Sequence, residues 1–179
     1  MDSIDQIIDR LVIPVENLLG HVTTTTENSA TNDEITAWER NHGLCLPDDY
    51  KRFALRIGKC QLHGVLTILP LRSIGRFSDF VYGNIPDAPE LPASWYAFAI
   101  LGDSDYTVMD LATVRKDSVN IIDGFHEEAN LSLEIIAKSF TEFLQRSIDD
   151  ADVSTGGGNG HRYWSKPGPS YGETEHGIE

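Results

Sequence analysis

The sequence predicts a single α+β domain in which helices pack against one antiparallel-dominated sheet. In the first 57 residues, apolar side chains recur at helical spacing. Between residues 65 and 122, short apolar runs alternate with turn residues, which is typical of strands. An amphipathic segment at residues 132–147 predicts a closing helix. Helices, a strand meander and a final helix are the order of an α+β domain, and 179 residues fit one domain with an extension.

Local signals mark the first two helices. Isoleucine and leucine at helical spacing predict a helix over residues 4–11, which can continue after a kink at Pro14. Thr31 and Glu34 have the spacing of a capping box, in which each side chain accepts a hydrogen bond from the other residue's backbone N–H. The second helix is therefore expected to begin there and to end at Gly43, because glycine adopts positive φ easily.

A third helix is expected to open at Leu46-Pro47-Asp48-Asp49. Proline suits a first helical turn, and carboxylates there complement the positive end of the helix dipole. This helix places Tyr50 and Phe53 on one face and is expected to stop at Gly58. The threonine run at residues 23–26 is expected to be a loop.

The middle of the chain predicts a strand meander. Residues 75–92 contain three prolines and two glycines, which predicts an irregular excursion with little strand pairing. Gly102-Asp103-Ser104-Asp105 has the chemistry of a hairpin turn. The predicted strands are residues 65–69, 95–101, 106–111 and 119–122.

The chain is predicted to have three parts. Residues 1–30 form an N-terminal helical segment and loop of the same domain, residues 31–148 form the main domain, and residues 149–179 form a Gly/Pro-rich acidic tail. The tail carries two large aromatic residues, Tyr163 and Trp164, which need a surface on which to dock. That surface can belong to this domain or to an external partner, and the sequence leaves both open.

The chain is strongly acidic, with 28 acidic against 14 basic residues and a formal net charge of −14. Residues 149–179 hold six of the acidic and two of the basic residues, so the preceding part alone carries −10. A field of this sign repels nucleic-acid phosphates and anionic lipid, and it attracts basic protein surfaces. Solubility alone can also explain such acidity. The interpretation is a protein partner, with no nucleic acid and no membrane.

Cysteine content and the N-terminus favour a cytoplasmic location. Cys45 and Cys60 have apolar neighbours, so reduced, buried thiols are favoured over a disulfide. The chain begins with Met1-Asp2-Ser3, without the basic start of a secretory signal. The longest apolar run, residues 95–101, is too short to cross a bilayer.

Motifs that would indicate catalysis or a cofactor are not found. The six histidines lack metal-ligand spacing. Asp103 and Asp105 on one turn supply too few ligands for a cation, so a turn or a partner contact is the favoured interpretation. Residues 156–160 are glycine-rich but lack the ending of a phosphate loop. The expectation is no enzyme, no cofactor and no metal.

Four segments in order resemble the SUKH superfamily (Smi/Knr-like domains). Residues 35–53, with Trp38-Glu39 and Leu46-Pro47, resemble its opening signature. Leu69-Pro70-Leu71 resembles the segment after its first strand, residues 98–111 its central hairpin, and residues 137–144 its closing helix. The turn at residues 103–105 departs from the glycine-rich turn of many members, and the tail has no counterpart.

The resemblance implies a non-catalytic α+β domain of the immunity-protein type, which neutralises a nuclease or another toxin. An acidic inhibitor also suits a cationic toxin cleft on physical grounds. The partner is therefore expected to be a basic toxin domain whose site this protein masks. The alternative is a regulatory or scaffold protein of the Smi/Knr type, which binds a signalling or cell-wall synthesis partner. The predicted partner-binding residues are Asp79, Phe80, Tyr82, Asp87, Asp103, Asp105, Glu127 and Glu128.

Overall fold

The computed structural model describes residues 2–12, 22–62, 66–83, 85, 88–102, 105–124 and 134–149. The helices are α1 (Ile4–Val12), α2 (Asn32–His42), α3 (Asp48–Arg56), α4 (Phe77–Val81) and α5 (Phe140–Asp149), with a 3-10 turn at Leu71–Ser73. The strands are β1 (Val22–Thr25), β2 (Lys59–Leu62), β3 (Leu66–Ile68), β4 (Gly75–Arg76), β5 (Trp95–Leu101), β6 (Asp105–Arg115), β7 (Ser118–Gly124) and β8 (Ile135–Ala137).

The described strands form one antiparallel sheet in the order β1-β2-β3-β5-β6-β7-β8, with β4 paired to the first half of β5. The predicted meander corresponds to β5, β6 and β7, which pair as consecutive neighbours. Helices pack against this sheet, which confirms the predicted α+β class.

The sheet has two unequal faces. The helical face holds the main core, in which strand residues such as Phe98 and Ile121 join apolar residues of α1, α2, α3 and α5. The second face holds a smaller cluster built on Ala97, Val108 and Ile122, and α4 covers it with Phe77. The second face is therefore where the irregular excursion lies against the sheet.

The helix α2 begins and ends as its sequence signals predict. Thr31 Oγ1 accepts from the backbone N–H of Glu34 at 3.2 Å, and Glu34 Oε2 accepts from the backbone N–H of Thr31 at 2.7 Å. Gly43 follows the helix with φ of 65°, in the left-handed region. The capping box and the C-terminal glycine are confirmed.

Aromatic rings fill the main core between α3, α5 and the sheet. Tyr50 lies 5.2 Å from Phe140 between ring centroids, and Phe98 lies 5.1 Å from Phe143, both at steep interplanar angles. Edge-to-face contacts of this kind add to the free energy gained by burying the rings. The Tyr50 hydroxyl is also buried here and has no hydrogen-bond partner among the described residues.

Replacing Tyr50 with phenylalanine is expected to raise the free energy of unfolding by about 1 kcal/mol, because it removes an unpaired polar group and keeps the ring. Urea unfolding of the two chains measures the change. Tyr96→Phe is the matched control, since the Tyr96 side chain is hydrogen-bonded to Arg76 and its loss should not stabilise the protein. A loss of stability in Tyr50→Phe would contradict an unpaired hydroxyl.

Three sequence predictions need correction. The threonine run expected as a loop forms β1, since its β-branched residues pair with β2, which was not predicted. The closing helix starts at Phe140 instead of residue 132, because Ile135–Ala137 pairs with β7 and the Ser139 hydroxyl accepts from the backbone N–H of Glu142 at 3.0 Å. The irregular excursion contains β4 and α4.

Several predictions fall outside the described residues. The continuation of the first helix after Pro14 belongs to residues 13–21, and the tail aromatics Tyr163 and Trp164 belong to residues 150–179. Within the described part, α1 packs against α3 and α5, and its residues Ile7 and Ile8 are fully buried in the main core.

Candidate functional site

The excursion on the second face forms a groove beside α4. We define the α4 groove by its two walls, which are residues 78, 79, 82 and 83 at the end of α4 and residues 88–93 of the following segment. Its volume is about 670 Å³. Two of the predicted partner-binding residues, Asp79 and Tyr82, line it.

Local hydrogen bonds fix the α4 wall of the groove. The backbone N–H of Tyr82 donates to Ser78 O at 2.9 Å, and that of Gly83 donates to Asp79 O at 3.1 Å. Gly83 has φ of 55°, a left-handed conformation that favours glycine and ends the helix. This turn places the exposed Asp79 and the half-buried Tyr82 on the same wall.

The second wall, residues 88–93, carries the residues that sequence reasoning missed. Glu90 is exposed on it, and Leu91 is half-buried and packs into the small cluster of the second face. The only signal for Glu90 is its position as a charged residue between prolines, which does not indicate the wall it occupies. The groove is therefore lined by two carboxylates, Asp79 and Glu90.

Phe80, a predicted aromatic anchor, packs on the sheet. Its ring centroid lies 5.0 Å from that of Tyr106, and a Cβ on Gly75 would lie 3.0 Å from the Phe80 ring. Phe80 is half-buried and helps hold α4 in place. Tyr82 is the aromatic residue that lines the groove.

The remaining predicted site residues are not brought together with the groove. Asp105 begins β6 opposite Leu101, is half-buried and does not line the groove. Four predicted residues lie outside the described part of the chain, namely Asp87, Asp103, Glu127 and Glu128.

Several acidic residues on the helical side form ion pairs with neighbouring basic residues. Arg52 contacts Asp117 at 2.8 Å and Asp5 at 3.5 Å, and Arg56 contacts Asp9 at 2.7 Å. At the groove, neither Asp79 nor Glu90 lies within ion-pair distance of a described basic residue, although the charges of Asp79 and Arg76 interact. Two further salt-bridge groups join Arg10 with Asp2 and Lys51 with Glu39 and Asp48.

Groups with strongly shifted pKa values lie in the core, away from the groove. Burial raises the pKa of the Cys60 thiol to about 12 and raises the pKa of the Tyr50 hydroxyl. No set of three or more His, Cys, Asp or Glu residues in the described ranges could hold a metal ion.

Both cysteines have free thiols, as the sequence predicts. Cys60 is buried, but the expectation that Cys45 is also buried is wrong. Its neighbour Leu46 takes the core position of this loop, with 1% of its surface exposed, and Cys45 points outward.

A second, smaller cleft lies between α2 and the 3-10 turn, with a volume of about 280 Å³. Trp38 and His42 stack on its α2 side with ring centroids 4.1 Å apart, and His42 Nδ1 lies 2.7 Å from Trp38 O. Arg72 lines the opposite side. The His42 ring therefore has both a stacking partner and a hydrogen-bond partner in Trp38, at the end of α2. This arrangement gives no sign of a reactive group.

A comparison with known families decides the classification. Residues 29–146 match the model of the SMI1 / KNR4 family (SUKH-1), from the start of α2 into α5. The chain belongs to the SMI1 / KNR4 family (SUKH-1). The predicted SUKH resemblance is thereby confirmed. In this SUKH-type domain, the groove lies inside the matched region and α1 lies before it.

Two further findings accompany the family match. No curated protein matches the chain. Among the helices that the structure describes, none combines the length and the apolar character of a membrane span.

Proposed function

We propose that this SUKH-type domain is a non-catalytic immunity protein that neutralises a toxin by covering its basic site with the α4 groove. The observation that carries the proposal is the charge of the groove lining. The described residues that line the groove include two exposed carboxylates, Asp79 and Glu90, and no basic side chain. The groove is therefore acidic and open to a basic partner.

The negative charge of the groove suits the recognition of a toxin that acts on nucleic acid. A nuclease needs cationic residues around its phosphate-binding cleft, and an acidic protein that covers this cleft excludes the substrate. Complementary charge also accelerates association, which matters for an inhibitor that must act before the toxin does. The groove residues Asp79 and Glu90 are placed to make such contacts.

The absence of catalysis is part of the proposal. The groove contains two exposed carboxylates, Asp79 and Glu90, and one tyrosine, Tyr82. Membership of the SMI1 / KNR4 family also supports a binding role without catalysis.

The double variant Asp79→Lys/Glu90→Lys is expected to lose protection in cells that co-express a nuclease-type toxin domain inhibited by the native chain. Reversal of two interface charges should weaken binding by about 3 kcal/mol, or roughly a hundredfold. Growth and titration of the purified pair measure the effect. The association rate of the native pair should also fall as salt is raised.

The matched control is Glu27→Lys/Asp33→Lys, which changes the net charge equally at two exposed positions outside the groove. This control should protect cells like the native chain. Full protection by the groove variant would remove the α4 groove from the interface. Equal loss in both variants would show that total charge matters and that its location does not.

A further inference from the structure

The geometry points to an arginine side chain of the partner as the group that enters the α4 groove, an inference that rests on the proposed function. An arginine carries five N–H donors in a planar fork, so it can bond two carboxylates at once. Asp79 and Glu90 both line the groove. A guanidinium that enters the groove is therefore attracted by both carboxylates.

The lining between the carboxylates suits the rest of the arginine side chain. Pro89, Leu91 and Pro92 supply apolar surface along one wall, and the half-buried Tyr82 ring supplies a π face on the other. Guanidinium is more weakly hydrated than ammonium and stacks on aromatic rings. The groove of about 670 Å³ has ample room for such a side chain.

Arg76 directly precedes α4 and does not line the groove. Its side chain is hydrogen-bonded to Tyr96, which raises the pKa of Arg76, and its charge also interacts with that of Asp79. The Ser78 hydroxyl donates to Asp79 Oδ1 at 3.3 Å, and the Asp79 side chain remains exposed. Because its described lining includes no basic side chain, the groove is open to an external cation.

The test uses two small probes on the full chain, N-acetyl-arginine amide and N-acetyl-lysine amide. Both carry one positive charge, so a difference between them reports the shape and stacking of the guanidinium. The backbone NMR signals of Gly83, Ala88 and Ala93 are expected to shift saturably, with at least threefold tighter binding of the arginine probe. Asp79→Asn/Glu90→Gln should abolish the shifts, and Tyr82→Ala should remove the preference for arginine while Tyr82→Phe keeps it.

The outcomes separate this inference from the proposed function. Equal binding of the two probes, or shifts that do not saturate, would overturn the arginine inference even if the chain protects cells from a toxin. Saturable, arginine-selective binding with no protection against any nuclease-type toxin would leave the groove chemistry standing and would refute the toxin as the partner. Glu27→Gln/Asp33→Asn is the control and should bind the arginine probe as the native chain does.

Discussion

Replacing Asp49 with alanine is expected to lower the free energy of unfolding by about 3 kcal/mol, since the starts of two helices lose the buried acceptor that they share. Asp49 has 1% of its surface exposed and lies in the first turn of α3. Its Oδ2 accepts from the backbone N–H of Thr141 at 2.7 Å and from the Thr141 hydroxyl at 2.9 Å. Its Oδ1 accepts from the backbone N–H of Tyr50 at 2.9 Å.

This carboxylate joins the starts of two helices. The first backbone N–H groups of a helix have no acceptor within the helix. Asp49, 92 residues away in the chain, supplies an acceptor for one of these groups in α5. Alanine leaves the Thr141 donors unpaired in a partly buried place, and an unpaired buried donor costs about 1–3 kcal/mol. Urea unfolding at neutral pH measures the loss.

Asp49→Asn separates the hydrogen bonds from the charge. Asparagine keeps one acceptor oxygen, so it should cost less than alanine. Burial raises the pKa of Asp49, although the hydrogen bonds from Thr141 and Tyr50 oppose that shift. The folded protein therefore binds this proton more tightly than the unfolded chain, whose Asp pKa is about 3.9.

The pH dependence follows from that shift. The stabilisation from protonating Asp49 is fully present below about pH 3.9 and is lost as pH rises through the higher pKa of the folded state. The stability of the native chain relative to Asp49→Asn should therefore improve as pH falls from 7 towards 4. Urea unfolding of both chains across this range tests it. A change of opposite sign would mean that the hydrogen bonds outweigh burial and hold the pKa below its usual value.

Features of the fold that depend on neighbouring residues could be predicted from the sequence. The helix α1 follows from apolar spacing alone, and α2 follows from Thr31, Glu34 and Gly43, which act within one or two turns. Strands β1 and β8 could not be predicted in this way, because each is defined by pairing with a distant strand. Threonine and isoleucine favour strands but do not specify a partner.

The candidate site likewise contains some residues that the sequence could predict and others that it could not. Asp79 and Tyr82 could be selected because they are acidic and aromatic residues within an irregular segment. Glu90 could not be placed, because its position in the same groove depends on how residues 88–93 lie beside α4 in the fold. Charge pairing was equally hidden from the sequence, since Arg52 and its partner Asp117 are 65 residues apart.

Replacing Gly58 with alanine is expected to lower the free energy of unfolding by about 3 kcal/mol, because the added methyl group has no space. A Cβ there would overlap the carbonyl oxygen of Glu27 and lie 2.6 Å from Asn28 C and 2.7 Å from Ser29 N. All three are backbone atoms, so a side-chain rotation cannot relieve the overlap. The turn before α2 must move away from the start of β2 instead.

That movement would also strain the pairing of β1, since the backbone N–H of Gly58 donates to Thr25 O at 2.9 Å. Gly43→Ala is the matched control, because Gly43 has φ of 65° and no atom within 4 Å of an added Cβ. It should cost only about 1 kcal/mol, from the left-handed conformation. Thermal and urea unfolding of the two variants compare the cost of a steric overlap, at Gly58, with the cost of a left-handed backbone conformation, at Gly43. Equal costs would show that the turn at residues 27–29 yields easily, and that close packing at Gly58 does not hold this edge of the sheet.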